Sequence, residues 1–164
     1  MNPELLRFKK KPLTTDDLTL ALLSDTNTKQ QFGDVCSITE LPEKIQGKIY
    51  IVNTDPHWLP GTHWVTCYFP TVGPAEFFDS LGHGPHYYYS DFQVFLLRNS
   101  NKGYVYNKKN IQAHDSKTCG YYCLFYCLHR ARGIPMNHII NAFTNEPWIN
   151  DWMVYQFIKQ HYNL

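Results

Sequence analysis

The 164-residue sequence has no run of about 18 apolar residues, the least that spans a membrane as a helix, so no membrane partner is expected. Its opening stretch, MNPELLRFKKKP, lacks the continuous apolar core and small-residue cleavage site of a secretory signal, so an intracellular location is expected. Cysteine is scarce and odd in number: there are five, three of them on one predicted helix, which argues for reduced thiols over a disulfide framework. The C-x3-C-x3-C run lacks the paired spacing of a zinc knuckle and has no histidine cluster to complete it, so no metal or other cofactor is expected. A net charge of +1 gives no general basis for binding nucleic acid, because phosphate affinity scales with the number of basic contacts. Two local basic stretches stand out. Arg98 to Lys117 sets Arg98, Lys102, Lys108, Lys109 and Lys117 against Asp115 and reads as a solvated rim, while Arg7 to Lys11 (RFKKK) is a weak nuclear-localisation match of a kind common by chance. Repeats, low-complexity tracts and linkers are also missing. With 43% hydrophobic residues the chain is long enough to bury a core of its own, so residues 1–164 are read as one domain.

What is present alternates between helix and strand signals. Thr14, with Asp17 three residues on, caps a predicted helix over Pro12 to Leu23 whose Leu18, Ala21 and Leu22 recur at helical spacing. Phe32 to Pro42 reads as loop with room for a short strand. Lys48 to Asn53 (KIYIVN), His63 to Phe69 (HWVTCYF) and Ala75 to Asp79 (AEFFD) are strand candidates, separated by turn clusters at Asp55 to Gly61 and Pro70 to Pro74, which predicts consecutive antiparallel pairing. Ser90 caps a helix to Asn99, Tyr104 to Tyr106 is a short strand, and further helices cover Pro135 to Phe143 and Asn150 to Tyr162. The implied fold class is α+β, with a small, mostly antiparallel sheet against a buried central helix and other helices flanking it.

That central helix begins in Ile111 to Arg132, IQAHDSKTCGYYCLFYCLHRAR, where a polar loop runs through Cys119 and Gly120 into apolar sequence. Unpaired N–H groups and the positive end of the macrodipole favour an anion at such a junction, and an adjacent imidazole can bring a thiol from about 8.5 toward neutrality, which makes Cys119 a candidate nucleophile. Gly120 lets a substrate carbonyl approach the backbone. Cys123 and Cys127, at four-residue spacing, read as packing residues.

Eight histidines compete for the role of base. His63 opens a strand after a long turn, a rigid place from which to present an imidazole; His114 is its main rival because it lies close to Cys119 in sequence. Asp79 closes the neighbouring strand and can hold the His63 tautomer from the same end of the sheet. Gln112 can donate its amide to an oxyanion beside the Cys119 N–H. Bulky Trp64 borders the cleft and favours glycine in the substrate.

In this order, His63-Trp64, Asp79, Gln112 and Cys119-Gly120 resemble the adenain-like cysteine proteases, the family of the adenovirus maturation protease, within the clan that also holds the SUMO and ubiquitin-like proteases. Papain-like enzymes place the cysteine first. The resemblance runs from Phe32 to Cys127 and includes Ile51-Val52-Asn53-Thr54 ahead of Gly61-Thr62-His63-Trp64; Gln112 and Cys119 are seven positions apart (119 − 112), as in adenain. It implies a Cys-His-Asp triad with a Gln oxyanion donor, cleaving precursor capsid or core proteins of a virus or virus-like element beside glycine, in the virion or in the host nucleus or cytoplasm. The expected partners are protein substrates with glycine at the cleavage site, and a peptide activator or DNA as a noncovalent cofactor. Two departures stand: adenain has glutamate where Asp79 stands, and no cysteine lies between Cys67 and Cys119 to link an activating peptide. A second reading of the same residues is a ubiquitin-like deconjugating isopeptidase. A third is an inactive module that holds glycine-containing tails, against which the intact quartet argues.

Overall fold

A computed structural model describes residues 11–162, so the basic run from Arg7 lies, apart from Lys11, outside the described residues, as does most of the opening stretch. Within them the chain forms α1 (Thr15–Ser24), α2 (Thr26–Gln31), β1 (Phe32–Ser37), β2 (Ile49–Asn53), β3 (Trp64–Tyr68), β4 (Ala75–Phe78), α3 (Asp91–Arg98), β5 (Tyr104–Tyr106), α4 (Cys119–Ala131), α5 (Met136–Asn141) and α6 (Pro147–Tyr162). The α+β class expected from the sequence is the one observed.

The five strands lie in chain order, β1-β2-β3-β4-β5. The expected antiparallel pairing holds for the central ladders, β2 with β3 and β3 with β4. Both outer ladders, β1 with β2 and β4 with β5, are parallel, so the sheet is mixed. Parallel neighbours need a crossover, and here the β4–β5 crossover carries α3. Side chains alternate across β2 with period two: Ile49 and Ile51 join the core under α1, α4, α5 and α6, whereas Tyr50 and Val52 join Phe92, Phe95 and Leu96 of α3 on the other face. Because both faces are covered, β2 is buried throughout and reads as a continuous apolar run.

Local signals account for the helix boundaries. The Thr14 hydroxyl accepts from the Asp17 N–H at 3.2 Å while the Asp17 carboxylate accepts from the Thr14 N–H at 2.9 Å, a reciprocal cap that starts α1. Asp25 caps α2 in one direction, its carboxylate taking the Thr28 N–H at 3.0 Å. Helix α4 is buried from Cys119 to Leu128 except at Phe125 and is fastened to β4 by a bidentate pair, Arg130 Nε and Nη2 donating to Glu76 at 2.8 and 2.9 Å. The Tyr126 hydroxyl donates to the same carboxylate, and its ring stacks on Phe78 with centroids 4.4 Å apart. These contacts set the helix across the sheet so that Cys119 arrives at the edge where β3 begins and β4 ends.

Candidate active site

Antiparallel pairing of Thr66 with Phe78 puts the residue before β3 and the residue after β4 at one end of the sheet. These are His63 and Asp79. His63 Nε2 donates to Asp79 Oδ1 at 2.7 Å, with Asp79 wholly buried and His63 only 8% exposed. With Nε2 so engaged, Nδ1 is the ring nitrogen left for the Cys119 thiol, whose influence on the imidazole adds to that of Asp79. Burial by itself would depress the imidazole pKa, but the bonds to Asp79 and Cys119 and the field of both outweigh it and raise His63 to about 9. A raised value favours the protonated ring beside Asp79 at neutral pH.

The carboxylate is held from every side. Asp79 Oδ1 also accepts the Leu81 N–H at 2.9 Å, and Oδ2 accepts the Tyr88 hydroxyl, whose ring lies stacked 6.3 Å from that of His63. Burial and the adjacent carboxylate push the Tyr88 phenol far up, so it remains a neutral donor. His83 Nδ1 stands 3.8 Å from Oδ2, with its ring flat on Tyr87. Asn107 clasps the Asp79 main chain, taking its N–H at 3.0 Å and donating to its C=O at 2.6 Å. That amide takes over where the β4–β5 ladder ends at Phe77 and Tyr106, and it holds the acid at a fixed place beyond the strand.

Cys119 is the first residue of α4 and 8% exposed. Thr118, at the N-cap, makes no side-chain cap; its Oγ1 lies 2.8 Å from Ser116 Oγ instead, which leaves the first-turn N–H groups to an outside acceptor. The other four thiols are buried, and burial raises Cys36 and Cys127 to about 12 and Cys67 and Cys123 well above the ordinary value. Only Cys119 among them meets an imidazole, in line with the packing role expected of Cys123 and Cys127.

A cleft of about 560 Å3 opens beside Cys119, lined by Leu13, Thr14, Gly61, Thr62, Trp64 and Ser116 among others. Trp64 lines this cleft, and its indole N–H also donates to the Leu13 carbonyl at 3.0 Å, tying the segment before α1 to the rim. Gly120 is buried, and a Cβ there would stand 3.1 Å from Leu13 Cβ, so this glycine also allows α4 to pack closely under that segment. Gln112 is buried behind the cleft: its Oε1 accepts from the Ser80 hydroxyl at 2.5 Å, and its Nε2 donates to the Ser116 carbonyl at 3.0 Å and lies 3.2 Å from Ser116 Oγ. The rival base His114 is exposed, with Nε2 3.5 Å from Asn110 Nδ2.

Comparison with known proteins adds little. No family model and no curated protein matches the chain. Among solved structures it is similar to the ASFV pS273R protease, with a TM-score of 0.44 and 21% identity over 66% of this chain. The match spans 43% of that protease. A likeness of this size carries no argument about function, which rests on the site.

Tyr88, Asn107, Ser80 and Ser116 also belong to the site, and sequence reasoning passed over all four. Asparagine, serine and tyrosine in loops are too common to signal a role; only the fold brings them to Asp79 and Gln112.

Proposed function

We propose that the chain is a cysteine endopeptidase with Cys119 as nucleophile, His63 as the proton carrier, Asp79 as the group that orients His63, and Gln112 with the Cys119 N–H as the oxyanion donors. The observation that carries this reading is the buried imidazole held between Asp79 and a thiol at the start of a helix, under an open cleft. The thiol proton rests on His63, and the thiolate attacks the peptide carbonyl, forming a C–S bond and an oxyanion. Collapse of that intermediate breaks the C–N bond, and the leaving amine takes the proton from His63. Water, losing a proton to His63, then attacks the thioester and releases the acid and the free thiol.

The substrate class follows from the cleft and from the sequence resemblance together. A passage bordered by Trp64 favours residues without a Cβ next to the scissile bond, so glycine is expected on the acyl side. By the same resemblance the role is maturation of precursor capsid or core proteins of a virus or virus-like element. Any peptide or DNA activator binds noncovalently, since no cysteine lies between Cys67 and Cys119.

Mapping the new N-termini that the protein generates in candidate lysates tests the activity and the glycine preference at once. Comparing kcat/KM for short glycine-containing peptides and for folded ubiquitin-like fusions tests the role. A preference for the fusions above about a hundredfold, about 2.7 kcal/mol of added transition-state binding, would make the protein a deconjugase and overturn the maturation reading.

A further inference from the structure

Ser80 stands next to the proposed acid and makes three contacts with the segment that carries the proposed oxyanion donor. Its carbonyl accepts the Ile111 N–H at 2.9 Å and the Gln112 N–H at 3.0 Å, and its hydroxyl meets the Gln112 side chain at 2.5 Å. Both side chains are sealed from water, Ser80 at 1% and Gln112 at 2% exposure, so no solvent molecule can take the place of either. The direction of the side-chain bond is settled by its far end. A backbone carbonyl only accepts, so the Gln112 atom 3.0 Å from the Ser116 carbonyl is Nε2; the atom facing Ser80 is Oε1, and the Ser80 hydroxyl must donate to it.

We propose that Ser80 is a positioning residue for the reaction: its hydroxyl and the Ser116 carbonyl grip opposite ends of the Gln112 amide and keep its NH2 edge turned to Ser116, which lines the cleft together with Cys119. One amide hydrogen stays on the Ser116 carbonyl. The second points toward Ser116 Oγ at 3.2 Å, a long contact to a neutral group that itself lies 2.8 Å from Thr118 Oγ1. An oxyanion forming at Cys119 is a stronger acceptor, since charged hydrogen bonds are roughly twice as strong as neutral ones, and it competes with Ser116 Oγ for this hydrogen. Without the Ser80 hydroxyl, Oε1 is a buried acceptor with no donor, and the amide, held at its NH2 end alone, is free to swing about the Ser116 contact. Because Ser80 follows Asp79, one dipeptide places both the group that orients the base and the group that orients the oxyanion donor.

The inference rests on the reading of Gln112 as oxyanion donor, and the test separates the two. The full chain and its Ser80→Ala, Gln112→Ala and doubly substituted forms are compared in turnover of a fluorogenic peptide amide ending in Gly-Gly with leucine upstream. Solvent exchange of the Gln112 side-chain amide, assigned by its disappearance in Gln112→Ala, is followed by NMR in the full chain and in Ser80→Ala. Ser80→Ala is expected to lower kcat by roughly 10- to 100-fold at unchanged KM, below the roughly 10² to 10³ of losing the donor itself. In the Gln112→Ala background the same change should alter kcat by less than about threefold, the non-additivity of two residues acting as one unit. Amide exchange should quicken at least tenfold in Ser80→Ala. Equal losses in both backgrounds, or unchanged exchange, overturn the positioning role while leaving Gln112 as donor. Full turnover in Gln112→Ala overturns the donor reading and this inference with it.

Discussion

Replacing Asp79 with asparagine keeps the volume of the buried side chain and removes the charge that faces His63 Nε2 at 2.7 Å. In the intact protein His63 is raised from 6.5 to about 9 against the pull of burial, by its bonds to Asp79 and Cys119 and by their charges. At 1.36 kcal/mol per pKa unit this amounts to about 3 kcal/mol of preference for the imidazolium in the folded state. Since the folded value lies above the unfolded one, the stabilisation is fully present below about pH 6.5 and is lost as pH rises through about 9. In Asp79→Asn the largest opposing partner is gone and burial dominates, so most of this dependence should vanish. Urea unfolding at pH 6 and pH 9.5 measures it: the intact protein should lose on the order of 2 to 3 kcal/mol more than the variant between the two conditions. Titration of the His63 ring by NMR reads the same quantity directly. An equal loss in both proteins, or a His63 midpoint near its ordinary value in the intact protein, would refute the account of this dyad.

Other substitutions probe separate parts of the structure. Gln112→Ala should reduce kcat by roughly 10² to 10³ with a preserved unfolding midpoint, and a loss confined to KM would contradict an oxyanion role. Tyr88→Phe removes the donor to Asp79 Oδ2 and should cost about 1.5 to 3 kcal/mol of stability in urea unfolding while His63 stays protonated at neutral pH; a neutral His63 there would mean that the phenol, not the carboxylate, sustains the imidazolium. Glu76→Ala leaves the half-buried Arg130 without its bidentate partner and the buried Tyr126 without an acceptor, for an expected cost of about 3 kcal/mol. A shift below about 1 kcal/mol would show that this pair does not fasten α4 to the sheet.

How much of this was legible in the sequence depends on how local each signal is. KIYIVN, HWVTCYF and AEFFD announce β2, β3 and β4 through apolar content and the turns between them, and the antiparallel pairing of consecutive strands follows. The parallel edges do not announce themselves, because β1 and β5 find their partners through crossovers that no short-range pattern encodes. Helix α2, TNTKQQ, was missed for a similar reason: only Thr28 is buried, and the element exists through the Asp25 cap rather than an apolar stripe. His63 and Asp79 were legible because each sits at a strand end, and the two strands are neighbours. Tyr88 was not, since it reaches Asp79 from a loop turn whose course depends on the edge-on contact of Tyr88 with Phe92 and its tilted contact with Phe77. Gly120 was read for the substrate, yet its packing against Leu13 and Leu18 follows from a helix contact visible only in three dimensions.

The central claim is that Cys119 forms a covalent bond to the substrate acyl group. Incubating the full chain with a glycine-ending peptide carrying a thiol-reactive vinyl ester, then locating the adduct by peptide mass mapping, tests it most directly. The account predicts one adduct, on Cys119, that forms in Cys123→Ala and Cys127→Ala, is absent from Cys119→Ala, and slows sharply in His63→Ala. An adduct on another cysteine, or none on Cys119 in a protein that still cleaves peptides, would contradict it.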